Sequence, residues 1–246
     1  MGVAGGGGKG LTLFGLWLPG PLLFGSPGIW QLQRLAWKRD LIARVDARVN
    51  APPVPVPPGV SWSTLDLDDA EYRRVRARGH FLHEKETLVD AVTEDGPGSW
   101  VITPLVTAEG TILVNRGFVP PELRDSALRA GGQPDGDVIV TGLLRRPEPG
   151  GRTLRANRPE DERWFSRDVA AIAAARGLEA VAPFFIDADA SPVQGPAPRG
   201  GLTVVHFRNA HLSYALTWFA LAGLCVAGLV LLVRPPARPE MAGRQA

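Results

Sequence analysis

The chain has 246 residues, enough for one or two domains of roughly 100–200 residues each. Its 27 lysines and arginines nearly balance 25 acidic residues and 45% of it is hydrophobic, which excludes a disordered polyelectrolyte and disfavours nucleic acid as a partner. A single cysteine, Cys225, excludes an internal disulfide and any zinc or iron–sulfur site built from several thiolates. Only two methionines and four histidines are present, which disfavours copper(I) carriage.

The first apolar segment, Gly10–Gln33, carries no charge. Pro19, Pro21 and Pro27 interrupt it, and a proline inside a helix removes a backbone hydrogen bond. A cleaved signal peptide is the alternative to a membrane anchor, because Lys9 precedes the apolar run. No small-x-small cleavage site follows the run, so a spanning anchor with irregular helicity is favoured, with residues 10–33 as the first transmembrane segment.

The second apolar segment, Ala210–Val233, also carries no charge. As a helix it would be roughly 36 Å long at about 1.5 Å per residue, which exceeds the roughly 30 Å of a hydrocarbon core. A buried helix of a soluble domain rarely stays uncharged for so long. Residues 209–233 are therefore predicted to form a transmembrane helix.

The flanking tails, residues 1–9 and 234–246, carry four basic residues and one acidic residue. Because positive tails favour the inner side of a membrane, both termini are predicted to be cytoplasmic. A group of basic residues just beyond the first segment opposes this orientation: Arg34, Lys38, Arg39, Arg44 and Arg48.

The middle of the chain, residues 34–208, is predicted to be an outer domain that begins with a stiff proline-rich spacer at 52–58. Short segments rich in β-formers follow, separated by turn residues. The predicted strands are Tyr72–His83, Thr87–Val92, Trp100–Val106, Thr111–Val119, Val138–Arg145, Phe184–Asp187 and Leu202–Phe207. Trp100–Val106 and Thr111–Val119 form a candidate hairpin.

Two short helices are predicted within this domain. Pro121–Arg129 begins with proline and is followed by two glycines, and Arg167–Arg176 has Ser166 as a candidate N-cap. Strands with few helices favour an α+β fold: two transmembrane helices that flank an outer-facing, largely antiparallel β-rich domain.

No motif typical of hydrolysis or phosphoryl transfer is present, so an enzyme is not predicted. A membrane-anchored hydrolase is the least supported alternative. His80, His83 and Glu84 could suggest a metal site, but exposed polar residues on a strand are the simpler interpretation.

His211 is the most informative single residue, because it lies in the first turn of the second apolar segment. Tyr214 and Trp218 follow at helical spacings of three and seven, and Arg208 precedes it. An ionisable group at this depth is usually functional, and neutral imidazole is a common axial ligand of haem iron. The aromatic stripe could pack a macrocycle and Arg208 could contact its propionates. An interfacial histidine bonded to headgroups or protein is the alternative.

Four stretches in order resemble the surfeit locus protein family of cytochrome c oxidase assembly factors. They are Gly28–Lys38, Thr103–Leu105 with Leu113–Pro120, Asn157–Pro159 with Trp164–Asp168, and Asn209–Phe219. The first reads GIWQLQRLAWK, and the last reads NAHLSYALTWF. The similarity extends over roughly residues 28–233.

The resemblance implies two transmembrane helices, both termini inside, and a chaperone-like role in maturing haem–copper oxidase. It implies haem a as a transient ligand of His211, with oxidase subunit I, other assembly factors and haem a synthesis proteins as partners. The start of the chain does not resemble a mitochondrial transit peptide, so the expected location is a bacterial plasma membrane.

Arg116, in an Asn-Arg-Gly sequence interpreted as a turn, is a second candidate cation for the propionates; an exposed or domain-packing arginine is the alternative. A scaffold that binds oxidase proteins through the Asn115-Arg116-Gly117 turn and never holds haem is the competing function.

Overall fold

The computed structural model describes residues 19–152, 155–190, 198–203 and 209–234. They fall into two compact units: a helix pair, whose described residues are 19–43 and 209–234, and a β domain within residues 44–205. The α-helices are α1 (Gly20–Val49), α2 (Leu67–Ala70), α3 (Val169–Ala175) and α4 (His211–Val233). Short 3-10 helices cover Gly59–Thr64, His83–Lys85, Pro121–Leu123, Ser126–Gly132 and Pro159–Asp161.

The β domain is built on one curled sheet in the order β1-β2-β6-β7-β5-β4-β3. Its strands are β1 (Val54–Pro55), β2 (Arg74–Phe81), β3 (Thr87–Thr93), β4 (Gly96–Thr107), β5 (Gly110–Val119), β6 (Asp137–Arg145) and β7 (Val181–Ala188). Neighbours are antiparallel except in the β1–β2 and β5–β7 pairs. β2 also pairs with β4, so β2, β6, β7, β5 and β4 form a closed ring.

Alternation of side chains along the strands divides the core into two clusters. One face buries a cluster that includes Val75, Leu105, Ile112, Leu144 and Phe184. The opposite face packs against α3 and the segment before it, through Val89, Ile102, Leu113, Trp164, Ile172 and Phe185. The two clusters draw on adjacent residues of the same strands, as Ile112 and Leu113 show.

The predicted α+β class and the hairpin are confirmed, the hairpin by the antiparallel β4–β5 pair. Most predicted strands are present with bounds shifted by a few residues. Leu202–Phe207 lies largely outside the described residues, and its described part, 202–203, is not a strand.

The two helix predictions in the β domain need correction. Pro121–Arg129 is not an α-helix but falls in two 3-10 segments. Asp125 separates them, because its side chain accepts a hydrogen bond from the Ala127 N–H and caps the start of the second segment. The second helix begins later than predicted, with Asp168 as its N-cap. Ser166 cannot cap it, because its hydroxyl is buried and donates to Glu148 O at 2.7 Å.

Within the residues that the structure describes, one of the two predicted membrane helices has the length and hydropathy of a membrane span. α4 is long and apolar enough to cross a membrane, and α1 is not. α1 is nevertheless continuous: Pro21 lies in its first turn, where the missing N–H costs nothing, and Pro27 removes one bond from its interior. Residues 10–18 of the predicted first span lie outside the described residues.

Candidate ligand site in the helix pair

α1 and α4 pack in antiparallel directions through positions spaced three and four residues apart. On α1 these are Gly20, Phe24, Gly28, Gln31 and Leu35, and on α4 they are His211, Ala215, Trp218, Ala222 and Cys225. Positions three and four residues apart lie on one face of a helix, so these residues form the seam between α1 and α4.

Close approach of the two helices depends on glycine at the seam. A Cβ at Gly28 would lie 2.7 Å from Phe219 Cε1, and one at Gly20 would lie 2.8 Å from Cys225 Sγ. Ala215, only 1% exposed, is the most buried residue of α4. Glycine at these two positions leaves room for the Phe219 and Cys225 side chains of α4, so the helices can approach closely.

A hydrogen bond joins the two helices at the start of α4. His211 Nδ1 lies 2.7 Å from Gln31 Oε1, and both residues are half-buried. An amide oxygen can only accept, so Nδ1 carries the proton and donates, which leaves the ring lone pair on Nε2. The contact joins the first and the last of the four family-like stretches. It fixes the orientation and tautomer of the imidazole.

The aromatic residues near this bond have different surroundings. Trp218 stacks on Phe24 of α1, with ring centroids 6.1 Å apart, and so contributes to helix packing. Tyr214 lies off the seam and is 55% exposed. Arg34, one turn beyond Gln31, places its guanidinium 4.0 Å from the Trp37 ring centroid. The structure thus brings His211 and Trp218 to the seam and leaves Tyr214 on the outer surface of α4.

The two predicted propionate cations have different outcomes. Arg208 lies outside the described residues. Arg116 lies in β5 rather than in a turn, half-buried, and donates to Gly132 O while its guanidinium covers the Phe81 ring at 4.9 Å. Burial lowers the pKa of Arg116 to about 10, Glu86 opposes this and Arg129 reinforces it. These contacts fit the alternative in which Arg116 is a domain-packing arginine.

The other two family-like stretches meet on a buried carboxylate in the β domain. Asp187, 3% exposed, accepts from Asn115 Nδ2 at 2.8 Å, Arg145 Nη1 at 3.1 Å and Arg167 Nη1 at 3.0 Å. A buried carboxylate needs such partners, because an unpaired charge inside a protein is strongly unfavourable. Asn115 and Arg167 therefore serve the stability of the domain.

Arg167 extends this network to Glu148 at the surface. Burial alone would raise the pKa of the Glu148 carboxyl, but the hydrogen bond and charge of Arg167 outweigh it and hold that pKa below its ordinary value. Burial would likewise lower the pKa of Arg167, and the bonds to Glu148 and Asp187 raise it instead. Both groups are charged at neutral pH.

Gly117 and Asn157 also have structural roles. Gly117 has a φ of 127°, and a Cβ there would lie 2.2 Å from the backbone of Arg199, so only glycine fits. Asn157 Oδ1 accepts from the Phe165 and Ser166 N–H groups at 2.8 and 3.1 Å, which ties the two halves of the third stretch together.

The two histidines of the β domain lie in different surroundings. His80 is exposed on β2 as predicted, whereas His83 lies in a 3-10 helix, half-buried, with Nε2 3.1 Å from Pro134 O. Within the described ranges no group of three His, Cys, Asp or Glu side chains could hold a metal ion.

Two residues of these sites were missed by sequence reasoning. Gln31 has no assigned role in the sequence analysis, and its place in the family-like stretch GIWQLQRLAWK is the signal that could have found it. Asp187 was included in a predicted strand without a role, although an acid that follows Phe184, Phe185 and Ile186 in a buried strand must find cations.

Comparison with known proteins identifies relatives along nearly the whole chain. The SURF1 family model matches residues 20–223. Surfeit locus protein 1 of Rattus norvegicus is 39% identical over 224 residues, covering 84% of this chain and 70% of the relative. The Homo sapiens protein is 39% identical over 213 residues, covering 79% and 69%.

A SURF1-like protein of Monosiga brevicollis is 35% identical over 240 residues, covering 92% of this chain and 89% of the relative. The match spans both the helix pair and the β domain. The chain belongs to the SURF1 family, a family of cytochrome oxidase assembly factors.

Proposed function

We propose that this chain is a membrane-bound assembly factor for haem–copper cytochrome c oxidase that binds haem a on the helix pair and assists its insertion into subunit I. The haem is cargo, held transiently and passed on. Subunit I and the proteins that synthesise haem a are the partners that this role requires. The family supports oxidase assembly as the process, and the surroundings of His211 support the cargo.

The hydrogen bond between Gln31 Oε1 and His211 Nδ1 carries the proposal. Metal-binding histidines usually donate their second ring nitrogen to an acceptor, which fixes the ring and raises the basicity of the coordinating nitrogen. Among the described residues, no hydrogen-bond partner of His211 Nε2 is found. A bound haem would supply iron that takes such a nitrogen as an axial ligand.

The surroundings of His211 suit haem a chemically. This haem has a long apolar tail and two propionates, so a carrier needs apolar surface and cations beside the iron ligand. Leu212, Tyr214 and Leu216 are exposed apolar or aromatic residues on the first turns of α4. Arg34, one turn beyond Gln31, supplies a cation, and Arg208 in the neighbouring sequence is a second.

The membrane arrangement in this proposal follows from charge and hydropathy. α4 and the segment at residues 10–33 cross the bilayer, the tails are cytoplasmic, and the β domain is outside a bacterial plasma membrane. The relatives described above are eukaryotic, so the compartment needs a direct test. Arg76→Cys in a Cys225→Ala background should react with an impermeant maleimide from outside spheroplasts; protection there would reverse the orientation.

Visible spectroscopy tests haem binding. The full chain is co-expressed with the enzymes of haem a synthesis, purified in nonionic detergent, and its haem a band measured per protein. The wild type is expected to carry the band and His211→Ala to lose it while still inserting into the membrane. His80→Ala, which removes an exposed histidine of the β domain, is the matched control and should keep the band.

If the chain is instead a scaffold that never holds haem, the opposite spectroscopic result is expected. The purified wild type would be colourless, yet it would still capture oxidase subunit I. The sequence-stretch Asn115-Arg116-Gly117 would not be its docking surface, because Asn115 and Gly117 are buried and Arg116 packs on Phe81. A colourless wild type with haem a abundant would overturn the carrier proposal.

A further inference from the structure

A groove with a volume of about 980 Å³ lies beside the β3–β4 hairpin of the β domain. Its lining includes residues 89–92 of β3, residues 97–100 of β4, and Arg152 and Arg155. It continues into a smaller pocket of about 420 Å³, with which it shares Asp90, Arg155 and Phe165. None of the residues of the helix pair lines it.

β3 is the last strand of the sheet, and part of its outer edge is unpaired. The Asp90 N–H donates to Trp164 O at 2.8 Å, so the backbone of Asp90 faces away from β4. Val92, two residues on, faces the same way. Its partner on β4 is Pro97, which is tolerated because the two residues of such a pair exchange no backbone hydrogen bonds. In the described part of the chain no backbone partner is found for the Val92 N–H, and Val92 is 72% exposed.

The charges that face this edge are mainly positive. The groove and the adjoining pocket together are lined by the arginines Arg124, Arg152, Arg155, Arg158, Arg163 and Arg167 and by the acids Asp90 and Glu148. Arg167 pairs with Glu148 and Asp187, Arg158 pairs with Asp161, and Arg124 lies 3.9 Å from Asp90.

Arg152 and Arg155 are joined by reciprocal backbone hydrogen bonds of 2.8 and 2.9 Å. Both side chains are exposed, and the Arg155 guanidinium lies 5.6 Å from the Phe165 ring centroid. Among the described residues, neither has an acidic partner.

We propose that this groove binds an extended acidic segment of a partner protein, which adds a strand to the outer edge of β3 at Val92 and places its carboxylates against Arg152 and Arg155. An unpaired strand edge supplies backbone hydrogen bonds, and the facing charges select the sequence. A lipid headgroup would use the arginines but not the strand edge. The surface shares no residue with the His211 site, so either proposal can fail without the other.

The probe is a blocked peptide of alternating glutamate and valine, roughly six residues long, the usual length of a strand. Its binding to the full chain in nonionic detergent is measured by fluorescence anisotropy at several salt concentrations. We expect binding that weakens as salt rises, because exposed charges are screened. Amide hydrogen exchange should slow at Val92 when the peptide is bound.

Three variants test the two parts of the surface. Arg152→Glu with Arg155→Glu should weaken binding by about tenfold or more, because attraction becomes repulsion. Val92→Pro removes the outward N–H without touching the β3–β4 ladder, and should also weaken binding. Arg76→Glu with Arg78→Glu makes the same charge change at two exposed positions on β2 and should leave binding within about twofold.

Several outcomes would overturn the proposal. They are failure of the peptide to bind, equal binding of a peptide with lysine in place of glutamate, and unchanged binding by the double arginine variant. Competition by a short-chain anionic phospholipid together with unchanged exchange at Val92 would assign the arginines to lipid instead. Retained circular dichroism shows that each variant is folded.

Discussion

The polar residues of the family-like stretches have different hydrogen-bond partners in the helix pair and in the β domain. In the β domain, Asn115 and Arg167 are buried against Asp187, and each charge has a partner. In the helix pair, Gln31 bonds one nitrogen of His211, and the other nitrogen has no hydrogen-bond partner among the described residues. A polar residue in a family-like stretch is therefore not by itself evidence of a binding site. The two regions differ in whether every hydrogen-bonding group of these residues has a partner within the protein.

The largest expected effect comes from removing the central carboxylate of the β domain. Asp187→Ala leaves Arg145 and Arg167 buried without their main partner and should lower the free energy of unfolding by about 3–5 kcal/mol. Chemical denaturation of the full chain in detergent, followed by tryptophan fluorescence, measures it.

Asp189→Ala is the matched control for Asp187→Ala, two residues further along. Asp189 pairs with Arg74 where both side chains are 36% exposed, and such exposed pairs contribute about 0–1 kcal/mol. Similar losses in the two variants would show that burial does not set the role of Asp187.

The Glu86–Arg129 pair gives a second test of structural charge in the β domain. Both side chains are nearly inaccessible, at 8% and 0% exposure. Arg129→Met alone should destabilise the domain by about 3–5 kcal/mol by stranding Glu86, and adding Glu86→Leu should recover much of that loss. A double variant no more stable than Arg129→Met would contradict this assignment.

A smaller effect is expected at the seam of the helix pair. Gly28→Leu places a side chain against Phe219 and should cost about 1–3 kcal/mol of helix pairing, the usual range for overpacking. The thermal loss of helical circular dichroism in detergent reports it. At Gly25 a Cβ meets nothing within 4 Å and leucine favours a helix more than glycine does, so Gly25→Leu should melt no lower than the wild type; equal losses in the two variants would show that the seam is elsewhere.

The smallest effect concerns pH. Because the pKa of Glu148 is lower in the folded state, its ion pair stabilises the domain fully above the ordinary carboxyl pKa of 4.5 and is lost as pH falls. Glu148→Gln should therefore flatten the decline of unfolding free energy between roughly pH 6 and pH 3. An unchanged slope would show that other carboxylates dominate acid unfolding.

Local patterns in the sequence predicted the sheet, the β4–β5 hairpin and the apolar helix α4, because alternation and uncharged length are local properties. They did not predict that the Ser166 hydroxyl would bond to Glu148 O instead of capping a helix, or that the Arg116 side chain would pack on Phe81 and bond to Gly132 O. Both depend on contacts between residues distant in the chain. The Gln31–His211 bond, which joins positions 180 residues apart, could not be read from either helix alone.

The contact between Gln31 and His211 is tested most directly by comparing Gln31→Leu with Gln31→Glu, with haem a per protein measured after co-expression with the synthesis enzymes. Glutamate keeps an acceptor oxygen and should retain the haem, whereas leucine removes the acceptor and should weaken binding by roughly tenfold to a hundredfold. Equal haem content in Gln31→Leu and the wild type would contradict the claim that this hydrogen bond prepares His211 to hold iron.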